Sequence, residues 1–294
     1  MIGQTATHLG DLILARRQFK QGLDLYDTQK KRMHRALQDP GVACLAYQAP
    51  VLWLLGFPDQ ATHASRKAVA LARRLSHPFS LAYALTIAAV VSHFGRKPQQ
   101  TLEYSQEACS LGSKHGMLYW SVTSRILRAL AMEDLGQWPE GLAQVRKALA
   151  SYVATGSKLM QPYWLAALAE VQAREGKVRE ALRMIDEAQA VTQATGERWS
   201  ESVVLRLMGE LLLSICSGNY AAGEACLIRA LEAARNCHAR SLELRAAMSL
   251  SRLWSQYSKK QEACTLLGQV YGTFTEGFED PDLREARELL NQLK

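Results

Sequence analysis

The sequence predicts an all-α chain of about seven stacked helix pairs with a capping helix at the C-terminal end. Three observations carry this. First, small residues recur at Ala15, Ala61, Thr101, Gly141, Ala181, Gly223 and Ala263, at successive spacings of 46, 40, 40, 40, 42 and 40. Seven residues beyond each stands a second, mostly small set: Gly22, Ala68, Ala108, Ala148, Ala188, Ala230 and Val270. Seven residues make about two helical turns, so both sets lie on one face, where small side chains let neighbouring helices approach. Second, Gly10, Gly56, Gly95, Gly136 and Gly176 each precede the second helix of a pair. A residue without a β-carbon enters the left-handed conformation cheaply, so it ends one helix and lets another begin. Third, the stretch Pro162–Ala190 shows the unit itself. Leu165, Leu168, Ala169 and Gln172 fall at helical spacing before Gly176, and Val178, Ala181, Leu182, Ile185 and Ala188 after it.

In chain order, the expected units are 1–38, 39–76, 77–116, 117–157, 158–197, 198–238 and 239–275, with a cap at 276–294, all in one superhelix. Only about nine residues precede Gly10, so the first helix is clipped and leaves apolar surface of its partner uncovered. The first connection, Thr28 to Pro40, is the longest and accounts for the spacing of 46. Asp39-Pro40-Gly41 and His77-Pro78 break the chain between pairs. Pro58, Pro98 and Pro139 stand just inside second helices, where a missing N–H costs nothing. Ala154-Thr155-Gly156 and Ala194-Thr195-Gly196 repeat one helix ending letter for letter. The fifth turn, with Gly218 and Asn219, is slightly longer, and the last, YSKKQEA, has no glycine. Asp280-Pro281 precedes a final helix with Leu283, Ala286, Leu289 and Leu290 on one stripe and charges opposite, as a stacked array requires at its end.

Composition narrows the class further. The chain has 294 residues, 48% apolar and 21% charged, with only 8 prolines, which fits a folded helical protein. No window approaches the roughly 18 apolar residues of a membrane span, and the first twenty residues lack a secretory layout, so the cytoplasm is the expected compartment. The six cysteines form no CxxC pair and have no histidine at ligand spacing; they are expected to pack as small apolar groups. The net charge of +7 is uneven: residues 1–147 hold 18 Lys and Arg against 10 Asp and Glu, while 148–294 hold 17 against 18. The excess is densest at Lys30, Lys31, Arg32 and Arg35. A basic half suits nucleic acid or an acidic protein, yet no aromatics interleave those charges, which favours a solvated loop.

The helix-turn-helix unit, with small residues two turns apart and a glycine turn, resembles the tetratricopeptide repeat, at a period near 40 instead of 34. Four stretches resemble more closely the C-terminal repeat region of bacterial multidomain signalling proteins, which combine an adenylate or guanylate cyclase, an AAA- or STAND-type ATPase and a repeat tail. They are Asp39–Ala61, Ala194–Leu213, Ala239–Trp254 and Val270–Leu283. The resemblance implies a right-handed α-solenoid acting as the sensor or docking tail of such a protein. No G-x-x-x-x-G-K-[ST] loop and no cyclase-like stretch occur, so with the clipped first unit the chain reads as a detached tail or a fragment of a longer parent; a separately encoded repeat protein is the other reading.

Catalysis has no foothold in the sequence. The seven histidines form no H-x-x-x-H pair, no G-x-S-x-G elbow appears, and Glu133-Asp134 sits at a helix end where capping or solvation suffices. The expectation is a non-enzyme with neither metal nor cofactor. The first helices of a solenoid line its groove and bind extended peptides, partner helices or small effectors. Aligning the repeats puts Trp53, Tyr163, Glu170, Arg206, Glu210 and Arg252 near that wall, with Trp120 and Trp164 at its edge. The aromatics suit inter-helix packing equally, and Arg206 and Glu210, four apart, suit a mutual pair. The Lys/Asn clamp by which some tetratricopeptide proteins hold a C-terminal carboxylate is replaced by Ala46, Pro50 and Thr86, which disfavours chaperone tails. A protein or peptide partner is expected, away from membranes; a nucleic-acid accessory role through the basic half is the alternative.

Overall fold

The computed structural model describes residues 2–29, 38–136, 141–215 and 220–294. The basic cluster Lys30, Lys31, Arg32 and Arg35, together with Pro139, Cys216, Gly218 and Asn219, lies outside the described residues. Among the described residues there are fifteen α-helices and no strand: α1 Ile2–Leu9, α2 Leu12–Gln29, α3 Pro40–Leu54, α4 Pro58–Leu75, α5 Pro78–Phe94, α6 Pro98–Lys114, α7 Leu118–Asp134, α8 Gly141–Val153, α9 Gln161–Arg174, α10 Val178–Thr195, α11 Glu201–Ile215, α12 Tyr220–Asn236, α13 Arg240–Ser255, α14 Lys260–Tyr271 and α15 Pro281–Leu293. No helix is long and apolar enough to cross a membrane.

Most of the described helix ends share one device. Left-handed residues stand within pairs at Gly10, Gly56, Arg96, Gly136, Gly176 and Ser258, and between pairs at Ser76, Gly116, Gly156, Gly196 and His238. At five of these turns the following residue donates its N–H five residues back: Lys97 to Ser92 at 2.9 Å, Met117 to Gly112 at 2.8 Å, Lys177 to Gln172 at 2.9 Å, Ala239 to Ala234 at 2.8 Å and Lys259 to Trp254 at 3.1 Å. This is a Schellman closure, which satisfies carbonyls that the helix leaves orphaned. The same residue is then the N-cap of the next helix, as at Lys97, Met117, Lys177 and Ala239, so the connections contain almost no loop. One expectation needs correcting. Gly95 has φ −78°, and the left-handed residue of that turn is Arg96 at φ 53°. The geometry demands a left-handed residue at a register position, and the neighbouring glycine does not occupy it.

The duplicated Ala-Thr-Gly ending uses its threonine hydroxyl in both copies, although α8 stops at Val153 and α10 continues to Thr195. Thr155 Oγ1 donates to the Tyr152 carbonyl at 2.7 Å and accepts the Ser157 N–H at 3.3 Å. Thr195 Oγ1 donates to the Val191 carbonyl at 2.8 Å and accepts the Glu197 N–H at 3.3 Å. In both copies the threonine hydroxyl accepts the N–H two residues on, while its own donated bond reaches back three residues in the first copy and four in the second.

The small-residue register is where helices meet. Ala15, Ala61, Thr101, Ala181 and Ala263 are each 0% exposed, and so are Ala68, Ala108, Ala188 and Ala230. Helices α11 and α12 approach closely at two glycines. A β-carbon on Gly209 would stand 2.9 Å from the Gly223 carbonyl oxygen, and one on Gly223 would stand 2.5 Å from Leu213 Cγ. Only hydrogen fits at either place.

The contacts divide the chain into two compact units. Unit 1 comprises Met1–Thr7, Leu12–Trp53 and Pro58–Ser157; unit 2 comprises His8–Asp11, Leu54–Phe57 and Lys158–Lys294. In unit 1, α5 packs on α4, α6 and α7, around a core that includes Val42, Ala68, Tyr83, Leu85, Ala88 and Ala108. At its α3 and α5 starts, the Asp39 N–H donates to Ser80 Oγ at 2.9 Å, while Asp39 Oδ1 accepts the Val42 N–H at 2.9 Å. His77 Nδ1 lies 2.8 Å from Ser80 Oγ and accepts the Ser80 N–H at 3.3 Å, so His77 caps α5. The serine–histidine contact is a pair of linked helix starts, with Ser80 wholly buried.

In unit 2, α9, α11, α13 and α15 contact one another in succession, while α10, α12 and α14 each pack against their own preceding helix and the next. The core centres on Leu244, Ala246, Ala247, Ala263, Leu267 and Ala286. One buried carboxylate helps hold the α9 and α11 starts. Glu197, 4% exposed, accepts the Met160 N–H at 2.9 Å and the Trp199 indole N–H at 2.6 Å.

Candidate functional site

The sequence-selected residues separate into two groups. Trp53 is 4% exposed, its ring 5.1 Å from that of Phe94, and Tyr163 is 7% exposed, 5.3 Å from both the Trp164 and Trp199 rings. Both are core aromatics. Trp164, at 1% exposure, is buried and not at an edge, whereas the Trp120 ring is half-buried and meets Tyr83 edge-on at 5.0 Å. Aromatic spacing on a helix marks a flank facing the next pair as readily as a groove, which is why these residues lie inside. Ala46 and Thr86 are buried too, with Thr86 Oγ1 3.0 Å from Ser124 Oγ.

The charged residues come together. Glu170 on α9, Arg206 and Glu210 on α11 and Arg252 on α13 stand on successive first helices of unit 2. Arg206 Nη1 donates to both Glu210 oxygens, at 2.8 and 2.9 Å. Burial works against the Arg206 charge, but Glu210 and then Glu170 outweigh it, so its proton is held more tightly than in water. The Arg206 side chain is only 16% exposed, so the pair is a fixed feature of the wall and not a solvated tether.

Sequence reasoning missed the rest of this ribbon. Ser249 Oγ on α13 donates to Glu210 Oε1 at 2.5 Å, Arg245 Nε donates to Asp282 Oδ2 at 2.7 Å, and Arg252 Nη2 to Glu285 Oε1 at 2.5 Å. Their separations of 33 to 39 residues echo the repeat, so the period of 40 was the available signal. Glu170 lies at one end of the ribbon and is exposed.

Each unit has a concavity of its own among the described residues. In unit 2 a cleft of about 530 Å³ is lined by charged groups including Asp11, Arg198, Glu201, Arg229 and Glu232. In unit 1 a groove of about 460 Å³ is lined by Leu23, Leu45, Leu52 and Ala64, with Asp59 and Lys67 among its polar residues. None of the sequence-selected residues lines either one. Burial pushes the Cys44, Cys226 and Cys237 thiols up, away from the thiolate. Among the described residues no group of three or more His, Cys, Asp or Glu is placed to hold a metal ion.

No family model matches the sequence, and a search of curated proteins gave no match. Solved structures match over nearly the whole chain. A Rap protein complexed with Competence and Sporulation Factor superposes with TM-score 0.68 at 12% identity, over 99% of this chain and 74% of that one. NprR in complex with its cognate peptide NprX gives 0.61 at 14% identity, over 99% and 82%. A Signal Transduction ATPase with Numerous Domains with a tetratricopeptide repeat sensor, from Pyrococcus horikoshii, gives 0.52 at 11% identity, over 96% of this chain and 42% of that one. The fold is tetratricopeptide-like. At these identities the likeness concerns the fold alone. A further neighbour is an aspartyl phosphate phosphatase F from Bacillus subtilis, so the fold does not decide between catalysis and binding.

Proposed function

We infer that the chain is a non-catalytic protein-interaction and regulatory scaffold that binds a protein or peptide along the wall formed by α9, α11, α13 and α15. The observation that carries the reading is the ribbon from Glu170 through Arg206–Glu210–Ser249 to Arg245–Asp282 and Arg252–Glu285. Preset, half-buried charges give a partner orientation and register without ordering cost at the moment of binding. Complexes of Rap with Competence and Sporulation Factor and of NprR with the NprX peptide, on the same fold, support a peptide or protein as occupant. The finer proposal is a sensor or docking tail of a bacterial cyclase/ATPase-type signalling protein. It rests on the four family-like stretches and on a neighbour whose repeat region is a sensor in a signal-transduction ATPase.

The test is affinity capture from the host with the intact chain and with Glu170→Lys, chosen because Glu170 is exposed and its change leaves the core alone. The expected result is a cyclase, an ATPase or a regulator retained by the parent and lost by the variant, without turnover. Capture of no such protein, together with gene neighbours that encode none, overturns the tail assignment. A nucleic-acid role rests on the balance of 18 basic against 10 acidic residues in 1–147; it requires a low-salt gel shift that weakens steeply as salt rises.

A further inference from the structure

Three aromatic side chains and one carboxylate converge where the start of α12 meets the turn between α13 and α14. Tyr220 opens α12, Trp254 lies in the last turn of α13, and Tyr257 stands in the turn that follows. The Tyr220 and Tyr257 ring centroids are 4.2 Å apart. The Lys259 ammonium sits 5.8 Å from the Tyr220 centroid and 5.7 Å from that of Trp254. Glu224, one helical turn beyond Tyr220, collects three donors on Oε1: Lys259 Nζ at 2.8 Å, Trp254 Nε1 at 2.5 Å and Tyr220 OH at 3.2 Å. Electron-rich ring faces around a carboxylate make the chemistry that selects an organic ammonium. Two of the three bonds to Glu224 come from the walls themselves, so removal of the lysine leaves carboxylate, Trp254 and Tyr220 still joined.

The cluster is accessible, and Lys259 reaches it from a turn of the recurring kind. Tyr257 is 47% exposed and the Lys259 side chain 43%. Ser258, the residue that turns the chain into the cluster, has φ 60°, which a residue with a β-carbon adopts only with strain. Lys259 is the N-cap of α14 and its side chain makes no cap bond, as at Lys97 and Lys177, so its ammonium is left for Glu224 and the rings.

The geometry points to a second binding site, an aromatic cage for an organic ammonium group on a partner peptide, which Lys259 fills from within and an incoming cation displaces. The cage is built on α12, the end of α13 and the turn into α14, and it shares no residue with the Glu170–Glu285 ribbon, so it stands whether or not that wall binds a peptide. A tethered lysine competes at high effective concentration, so weak external cations meet a closed cage until the tether is removed.

The experiment uses Nα-acetyl-Nε-trimethyl-lysine amide as probe and Nα-acetyl-norleucine amide as the uncharged control. The Trp254 indole N–H is followed by NMR, its resonance assigned from its loss in Trp254→Phe. With Lys259→Ala, the probe shifts this resonance saturably and binds about tenfold or more tighter than to the parent, and the control has no effect. No saturable shift, equal affinity for parent and variant, or an equal response to the control overturns the proposal and leaves the cluster as a strut. Lys259→Met, which keeps the hydrocarbon stem, is the second variant should Lys259→Ala unfold; unfolding of both also overturns it, because a displaceable plug cannot be what holds α14. In the unaltered protein the Lys259 Cε protons are expected upfield through ring currents, and random-coil shifts there would count against the cage.

Discussion

At the scale of single residues, backbone conformation and steric room separate cleanly in this chain. Gly176 has φ 78°, and nothing lies within 4 Å of a β-carbon added there. Gly176→Ala therefore meets only the cost of a left-handed alanine, about 1 kcal/mol. Gly223 is the reverse case: an added β-carbon meets Leu213 Cγ at 2.5 Å, and overpacking costs about 1–3 kcal/mol. Urea unfolding of both variants should rank Gly223→Ala as the more destabilised, with unchanged slopes. Equal losses would mean that the α11–α12 approach is looser than the geometry gives. Tyr26 shows the same economy in charge: burial first, and then the Asp39 carboxylate its hydroxyl reaches at 3.1 Å, push its phenol up to about 12.

At the scale of elements, the packing register and the polar staples make distinct predictions. Ala181 is 0% exposed at the register position of α10, which packs on both α9 and α11. Ala181→Leu should cost about 1–3 kcal/mol by forcing those helices apart, read as a lower midpoint of thermal or urea unfolding. A variant that melts like the parent would displace the register. Glu224 joins α12 to the α13 end and the α14 start, and its carboxyl is held below its ordinary 4.5, first by the Lys259 hydrogen bond, against burial, and then by the Trp254 indole. A carboxyl depressed in the folded state binds fewer protons there than in the unfolded chain. Its contribution is thus fully present above pH 4.5 and disappears as pH falls through the folded value. The stability gap between parent and Glu224→Gln should be flat near neutrality and shrink below pH 4.5; a gap that persists unchanged in acid would mean the carboxylate charge contributes nothing.

At the scale of the whole molecule, the helix pairs within each unit touch mainly their neighbours in sequence, so stability there is a sum of local interfaces. Damage should therefore stay local. Hydrogen exchange on Gly223→Leu is expected to lose protection in α11, α12 and α13 while α5 and α6 keep theirs. Uniform loss across the chain would show a single cooperative block instead. The same logic explains what was legible beforehand. The period of 40, the Ala-Thr-Gly endings and the buried register could be read because each is local and written many times. The wall was only half legible. Arg206 and Glu210 are four residues apart, whereas Arg245–Asp282 is 37 apart and Ser249–Glu210 is 39, and no local rule joins those. Trp53 and Tyr163 had the spacing of wall residues, but which flank faces the next pair is decided by packing.

By itself, then, the sequence determined the helices, their turns and the face by which they meet, because period, small side chains and left-handed turn positions act within a few residues of one another. Tertiary structure alone decided which charges pair across repeats, which aromatics are covered, and that Lys259 enters the cluster of Tyr220, Trp254, Tyr257 and Glu224. The contacts that close the cluster, Trp254 with Glu224 and Lys259 with Glu224, join residues 30 and 35 apart, and they exist only once neighbouring pairs have stacked.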